Sequence, residues 1–173
     1  SVASVAAGLH GLRALRANRL AAVASVLRSV GRDAEAHDDY QTILRLAPWD
    51  AQSAVALASM TLEQGDATTA LAWLHRAQAG SADSDAWLIE ASAWQQLDQP
   101  QKAIAVLEGA VAALPDDIQA RLRLGNLYAL AGRTDAALVA YRRVLASDQD
   151  SEQAQLIKRE AERAARLLAA MRS

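Results

Sequence analysis

The sequence has no cysteine and no phenylalanine, only three prolines and eight glycines, and no apolar run near the length of a bilayer. Each absence removes something. Without cysteine there is no disulfide framework, no thiolate nucleophile and no Cys-based metal site, whereas the redox compartment stays open. Without about 20 successive apolar residues there is no candidate membrane span. Scarce Pro and Gly beside abundant Ala favour close-packed helices over sheet, because Ala is the best helix former and a poor strand residue. The opening Ser1-Val2-Ala3 has neither an initiator Met nor a charged n-region, so it does not read as a signal peptide. A processed product or a piece of a longer chain is expected. What is present suffices for a folded domain: 173 residues, 52% hydrophobic and 22% charged. A net charge of −2 argues against wrapping nucleic acid.

Internal repetition decides the fold. Ala36, Ala70, Ala103 and Ala137 are separated by 34, 33 and 34 residues. The same intervals join Ala24, Ala58, Ala91 and Gly125, then Gly31, Gly65, Asp98 and Gly132. They also join Tyr40, Leu74, Leu107 and Tyr141, and Ile43, Ala77, Ala110 and Val144. Pro48 and Pro115 stand in phase with them, with Ala82 and Gln149 in the equivalent slots. Columns held in register at one period of about 34 residues indicate a stacked helical array.

Each unit reads as two helices. The first carries large apolar residues three and four apart, such as Leu20, Val23 and Leu27, or Leu124 and Tyr128, which is helical rather than strand spacing. A turn follows at Gly31, Gly65, Asp98 or Gly132, where Gly accepts the positive φ of a helix end. The second helix begins after it, with Pro100 at a first-turn position in one unit. Its Ala allows close approach, and the residue four places on fills the space between units. Asp50, Ser84 and Asp116 or Asp117 are expected to cap first helices.

These residues resemble the tetratricopeptide repeat. Leu124-Gly125-x-x-Tyr128 followed by Ala137-x-x-x-Tyr141 is one copy of its pattern, and Trp87-x-x-Glu90-Ala91-x-x-Trp94 followed by Ala103-x-x-x-Leu107 and Pro115 is another. Leu20 through Pro48 is a third, and Ala51 through Asp83 a weaker one, with Ala54 and Thr61 where large residues are usual. The resemblance implies an all-α, right-handed superhelical solenoid of antiparallel helix pairs. The expected division is an N-terminal helix over 1–16, on one reading half of a truncated repeat, then repeats over 17–50, 51–83, 84–117 and 118–151. A polar-faced capping helix over 152–173 would shield the last repeat. The helix over 1–16 has Val2, Val5, Leu9 and Leu12 on one face.

Catalytic chemistry finds no foothold. His10, His37 and His75 have no second His or Glu at metal-binding spacing, and His37-Asp38-Asp39 point in successive directions on a helix. Ser81, Ser84 and His75 lack a nucleophile elbow and a partner acid, and Gly65-Asp66-Ala67-Thr68-Thr69 lacks the second Gly and the Lys of a phosphate loop. No catalytic residue, no metal ligand and no cofactor is expected. Trp87 and Trp94 sit in packing columns, while Trp49 follows Pro48 in a turn and is expected to be exposed. Glu90 and Arg121 interrupt apolar columns, and a contact between them would reduce the cost of placing charge there.

Charge is segregated. Residues 1–32 hold five Arg and no acid, residues 33–117 fourteen acids and three bases, and residues 118–173 ten bases and six acids. Such polarity permits head-to-tail self-association, though charge runs more commonly keep arrays soluble.

A candidate groove lies on the first helices, away from the packing columns. Ser25, Ser59, Ser92 and Asn126 keep the 34, 33, 34 spacing there. One turn earlier stand Ala21, Val55, Leu88 and Leu122, and one turn later Arg28, Leu62, Gln95 and Ala129, with Gln52, Asp85 and Gln119 near the helix entries. An aliphatic floor edged with hydroxyls and amides suits an extended or helical peptide. The resemblance implies that this inner face binds, and that Asn126 matches a position that contacts peptide backbone. The basic clamp by which some members hold acidic tails is missing, with Ala21 and Ser25 at its positions. Glu63 and Asp85 lean the groove towards neutral, basic or partly apolar segments. The expected activity is a non-enzymatic protein-interaction scaffold with a protein or peptide partner, no nucleic acid and no direct membrane span. The alternatives are a homo-oligomeric scaffold, or an adaptor module of a larger secretion, biogenesis or enzyme protein. The richness in Ala and Arg suggests a bacterial source, in cytoplasm or periplasm.

Overall fold

The computed structural model describes residues 2–77 and 84–171, and divides into two compact units, residues 1–81 and 82–173. The Ala82 slot, Ser81 and the side chains of Val2, Val5, Leu9, His10 and Ala77 lie outside the described residues. Among the described residues every regular element is an α-helix. The first unit contains α1 (Val2–Ser29), α2 (Asp33–Leu46), α3 (Ala51–Glu63) and α4 (Ala67–Ala77). The second contains α5 (Ser84–Gln96), α6 (Pro100–Ala113), α7 (Ile118–Leu130), α8 (Thr134–Leu145) and α9 (Glu152–Ala170).

Consecutive helices pair, α1 with α2, α3 with α4, α5 with α6 and α7 with α8. Short turns make each pair antiparallel. The two small-residue columns explain the closeness of the pairs: Ala36, Ala70, Ala103 and Ala137 are fully buried, as are Ala24 and Ala58. Within each unit the pairs then stack in order, through α2 on α3, α6 on α7 and α8 on α9. In the second unit Ile104, Leu107, Leu124 and Leu127 share one apolar cluster. Leu122, Tyr141, Val144 and Ile157 share another.

Local chemistry fixes the ends. Every first helix closes with the same two hydrogen bonds. Gly31 N–H reaches the Arg28 carbonyl and Arg32 N–H the Leu27 carbonyl, and the pattern recurs at Gly65/Asp66, Asp98/Gln99 and Gly132/Arg133. This is the Schellman arrangement, which needs a left-handed residue just past the helix. Gly31, Gly65 and Gly132 supply it with φ of 77°, 85° and 72°, and Asp98 adopts it without being glycine at φ 55°. A side chain there costs energy that glycine avoids. Asp98→Gly is therefore expected to stabilise the second unit by about 0.5–1 kcal/mol, net of the added freedom of the unfolded chain, as a higher midpoint in urea. At the other ends Asp50 accepts from Ser53 N–H, and Asp117 from Gln119 and Ala120 N–H, all at 3.0 Å. Ser84 starts α5, and its hydroxyl donates to the Asp117 carboxylate.

One element is longer than its counterparts. α1 runs unbroken through residues 16 and 17, so the N-terminal segment and the first helix of the first pair are one helix. The stretch Leu12–Leu27 contains no Pro and no Gly to stop it, and Arg16 stands where α3 and α7 have their capping Asp50 and Asp117.

Candidate functional site

On the first unit the proposed inner face carries a polar cluster linking α1 to α3. Arg28 donates from Nη2 to Ser59 Oγ at 3.0 Å and to Glu63 Oε1 at 2.6 Å, and from Nη1 to the Ala56 carbonyl at 3.3 Å. Ser59 in turn donates to Glu63 at 3.0 Å. The two helices thus share one charge-assisted network, with the Arg28 side chain largely covered and Glu63 largely exposed. Ser25 and Gln52 are exposed beside it. Val55 and Leu62 are buried, so they support this face from beneath instead of forming an open floor. Burial raises the Tyr40 hydroxyl above its ordinary pKa, an effect partly offset by the Arg28 charge.

On the second unit α5 presents a more open surface. Asp85 and Gln95 are exposed, and Leu88 and Ser92 are half-buried. The Ser92 hydroxyl donates to the Leu88 carbonyl one turn earlier at 2.9 Å, which leaves its lone pairs free to accept. Gln119 is exposed at the entry of α7.

Further along α7 the picture differs from the expectation of an open groove. Leu122 is buried among Tyr141, Val144, Ala154, Ile157 and Ala161, because α9 packs against both α7 and α8. Asn126 is committed within the molecule: its Oδ1 accepts from the Tyr141 hydroxyl at 2.9 Å, and its Nδ2 lies 3.4 Å from Glu160 on α9. Burial, with the nearby Glu160 charge, raises the Tyr141 hydroxyl above its ordinary pKa. The sequence carries a signal for this. Glu160 lies 34 residues beyond Asn126 and so continues the column of Ser25, Ser59 and Ser92. The last helix thus repeats the phase of a first helix and takes its place in the stack.

Arg121, one of the two charges that interrupt apolar columns, donates to the Pro115 carbonyl at 2.6 Å, in the turn before its own helix. Trp49 is exposed, whereas Trp94 packs against the apolar cluster of the second unit and lies under the Lys102 ammonium at 4.2 Å. Among the described residues no helix is long and apolar enough to cross a membrane, and no group of His, Asp or Glu is placed to hold a metal ion.

Comparison with known proteins adds three findings. A tetratricopeptide repeat family profile matches residues 96–161. A stretch of the cellulose synthase operon protein C of Xanthomonas axonopodis pv. citri (strain 306) is 33% identical over 125 residues, which is 67% of this chain and 8% of that protein. Solved structures with the same fold include PilF of Pseudomonas aeruginosa, at TM-score 0.71 and 18% identity over 90% of this chain and 72% of that one. MamA aligns at TM-score 0.68 and 20% identity over 90% of this chain and 87% of that one. YrrB, described as a TPR protein with an unusual peptide-binding site, aligns at TM-score 0.64 and 23% identity over 87% of this chain and 79% of that one. At these identities the structural likeness establishes the fold.

Proposed function

The chain is a tetratricopeptide-repeat protein, and from that premise we propose that it captures a partner's peptide segment on the inner faces of its first helices. A general protein-interaction role goes with the fold. The finer reading is supported chiefly by the face of α5, where Asp85, Leu88, Ser92 and Gln95 offer a carboxylate, an aliphatic surface, hydroxyl lone pairs and an amide along one side of a helix. An extended peptide needs those groups: acceptors and donors for its backbone, an apolar contact for alternate side chains, and no covalent chemistry. On α1 and α3 the exposed Ser25, Gln52 and Glu63 serve the same role, with Arg28 and Ser59 holding Glu63 in position. On α7 only Gln119 contributes directly. Val55, Leu62 and Leu122 act as buried support, and Asn126 acts by holding Tyr141. Asp85 and Glu63 select neutral or basic segments.

Peptide display on the immobilised protein tests this. The wild type is expected to enrich peptides with basic and apolar residues. The exposed-face variant Asp85→Lys, Ser92→Arg should bind them about tenfold more weakly or worse, while keeping its helical circular dichroism. Equal affinity for wild type and variant would overturn the reading.

The identity to cellulose synthase operon protein C favours a more specific version: the chain as the recognition section of a bacterial protein that works beside a cellulose synthase. Retention of a purified synthase component by the wild type, with loss in the same variant, supports it. Equal retention by both removes it.

A further inference from the structure

We propose that a groove of the second unit, formed by α6, α7 and α8, docks a partner's peptide segment in which an apolar side chain is followed by a single carboxylate. None of its lining residues belongs to the inner face described above. The observation comes from one pair of register positions that recurs in every helix pair: Leu20 and Thr42, Ala54 and Arg76, Trp87 and Gly109, Arg121 and Arg143. In the third pair the two positions meet. A β-carbon built at Gly109 would lie 3.3 Å from Cζ3 of Trp87, whose ring packs on the apolar cluster. That ring fills the space between its two helices. In the fourth pair the same register brings two arginines and no ring, and a cavity of about 370 Å³ lies beside them. α6 packs against α5 and α7, and α8 against α7 and α9, so the groove is open with each neighbouring helix in place.

The groove has an apolar half and a polar half. Val111 of α6, Leu124 and Tyr128 of α7 and Val139 of α8 line the first, and Val139 is 51% exposed. Asp135 lies at about 12 Å along α8 from Arg143, more than two turns away. Arg121 and Arg143 also line a second cavity of about 560 Å³, which continues the groove past Pro115, Ser147 and Gln149, with Asp116 and Asp148 on its walls.

Charge and hydrogen bonding select the occupant. Arg121 gives Nη2 to the Pro115 carbonyl, and its Nε is buried without an acceptor. Neither arginine enters an ion pair among the described residues. Two guanidinium groups at the edge of one apolar slot repel each other until an anion joins them. A carboxylate does so through charge-assisted hydrogen bonds, while an apolar side chain beside it covers Val139 and the Tyr128 ring. The groove runs on past the arginines, and its polar half offers hydroxyl and amide partners. That suits a chain passing through rather than a small acid that ends there. Asp116 and Asp148 at one end and Asp135 at the other disfavour a run of acids, so the carboxylate has neutral or basic neighbours. A second copy of the same groove would bring arginines against arginines.

The probe is a displayed library of random peptides of about 12 residues, long enough to run through both cavities when extended. Peptides are selected on the full chain and depleted on the variant Val139→Gln, Arg143→Glu, which changes two exposed positions of α8. The survivors are expected to carry an apolar residue with Asp or Glu a few places later. By fluorescence anisotropy a selected peptide should bind the single variant Arg143→Glu about tenfold more weakly, with unchanged circular dichroism, and less tightly to the wild type as salt is raised. Replacing the peptide's carboxylate by Lys should restore binding to Arg143→Glu, a charge swap that a merely structural role for Arg143 would not give. The Asp85→Lys, Ser92→Arg variant should bind the peptide as the wild type does, which separates this groove from the inner face. Octanoate serves as a separate arm for a small aliphatic acid. An empty selection, survivors without a carboxylate, failure of the charge swap, equal loss in the inner-face variant, octanoate bound in place of any peptide, or a dimer abolished by Val139→Gln without peptide binding would each overturn the proposal.

Discussion

Removing residues 152–173 is expected to destabilise the second unit by about 3–5 kcal/mol, the largest effect anticipated for any change discussed. α9 covers Ile118, Leu122, Tyr141 and Val144 with Ala154, Ile157 and Ala161. A large aliphatic side chain returned fully to water costs roughly 1.5–3 kcal/mol, and here several are partly returned at once. The loss is compounded at the helix start, where the Ser151 hydroxyl caps Ala154 N–H at 3.1 Å. Lys158 pins the preceding turn through the Ser147 and Gln149 carbonyls at 2.6 and 2.8 Å. The mechanism makes a sharp side prediction about two adjacent residues. Ile157 is 8% exposed and Leu156 is 51% exposed. Ile157→Asp should reproduce most of the truncation's effect in a urea melt, and Leu156→Gln almost none of it. Comparable losses from the two point changes would mean that α9 does not stabilise through this packing.

The second large effect is at Gly125. A β-carbon built there would lie 2.7 Å from Cε1 and 2.9 Å from Cδ1 of Tyr141, and 3.3 Å from the Ala140 β-carbon. Tyr141 has no room to retreat: it is 2% exposed and its hydroxyl is tied to Asn126. Gly125→Ala should therefore cost about 1–3 kcal/mol by overpacking, although Ala is intrinsically the better helix former by about 1 kcal/mol. Two of the other three pairs point to the compensation, with Ala58 and Ala91 standing opposite Leu74 and Leu107, whereas the first pair places Ala24 opposite Tyr40, a ring without the tie to Asn126 that holds Tyr141. The double variant Gly125→Ala, Tyr141→Leu should then lose less than the two single changes added together, with a coupling of about 1 kcal/mol in a double-mutant cycle. Strict additivity would show that the two positions do not meet.

These expectations indicate how far the residue order alone reaches. The paired helices, their turns and their close-packed Ala columns follow from a repeat that recurs in every unit, so one weak unit is corrected by its neighbours. The Gly31, Gly65 and Gly132 column announces a left-handed turn, and Asp98 in the same column adopts it. What the residue order leaves open depends on single positions. The length of α1 turns on Arg16 standing in the repeat register where α3 and α7 have a capping Asp. The commitment of Asn126 to Tyr141, and the burial of Leu122, arise because α9 takes the place of a further first helix. Its polar sequence reads as a solvated end, and only Glu160 in the serine column betrays its register. The Arg28–Glu63 pair joins residues 35 apart on two helices, and its geometry is set by how α1 and α3 face each other.

Backbone amide chemical-shift mapping during titration with a display-selected peptide tests the binding account most directly. The prediction is that within the second unit the shifted amides cluster on α5, around Asp85, Ser92 and Gln95, and that any shifts within the first unit fall on α3, around Gln52, Ser59 and Glu63. Shifts confined to the second helices α2, α4, α6 and α8, with the first helices unmoved, would contradict it.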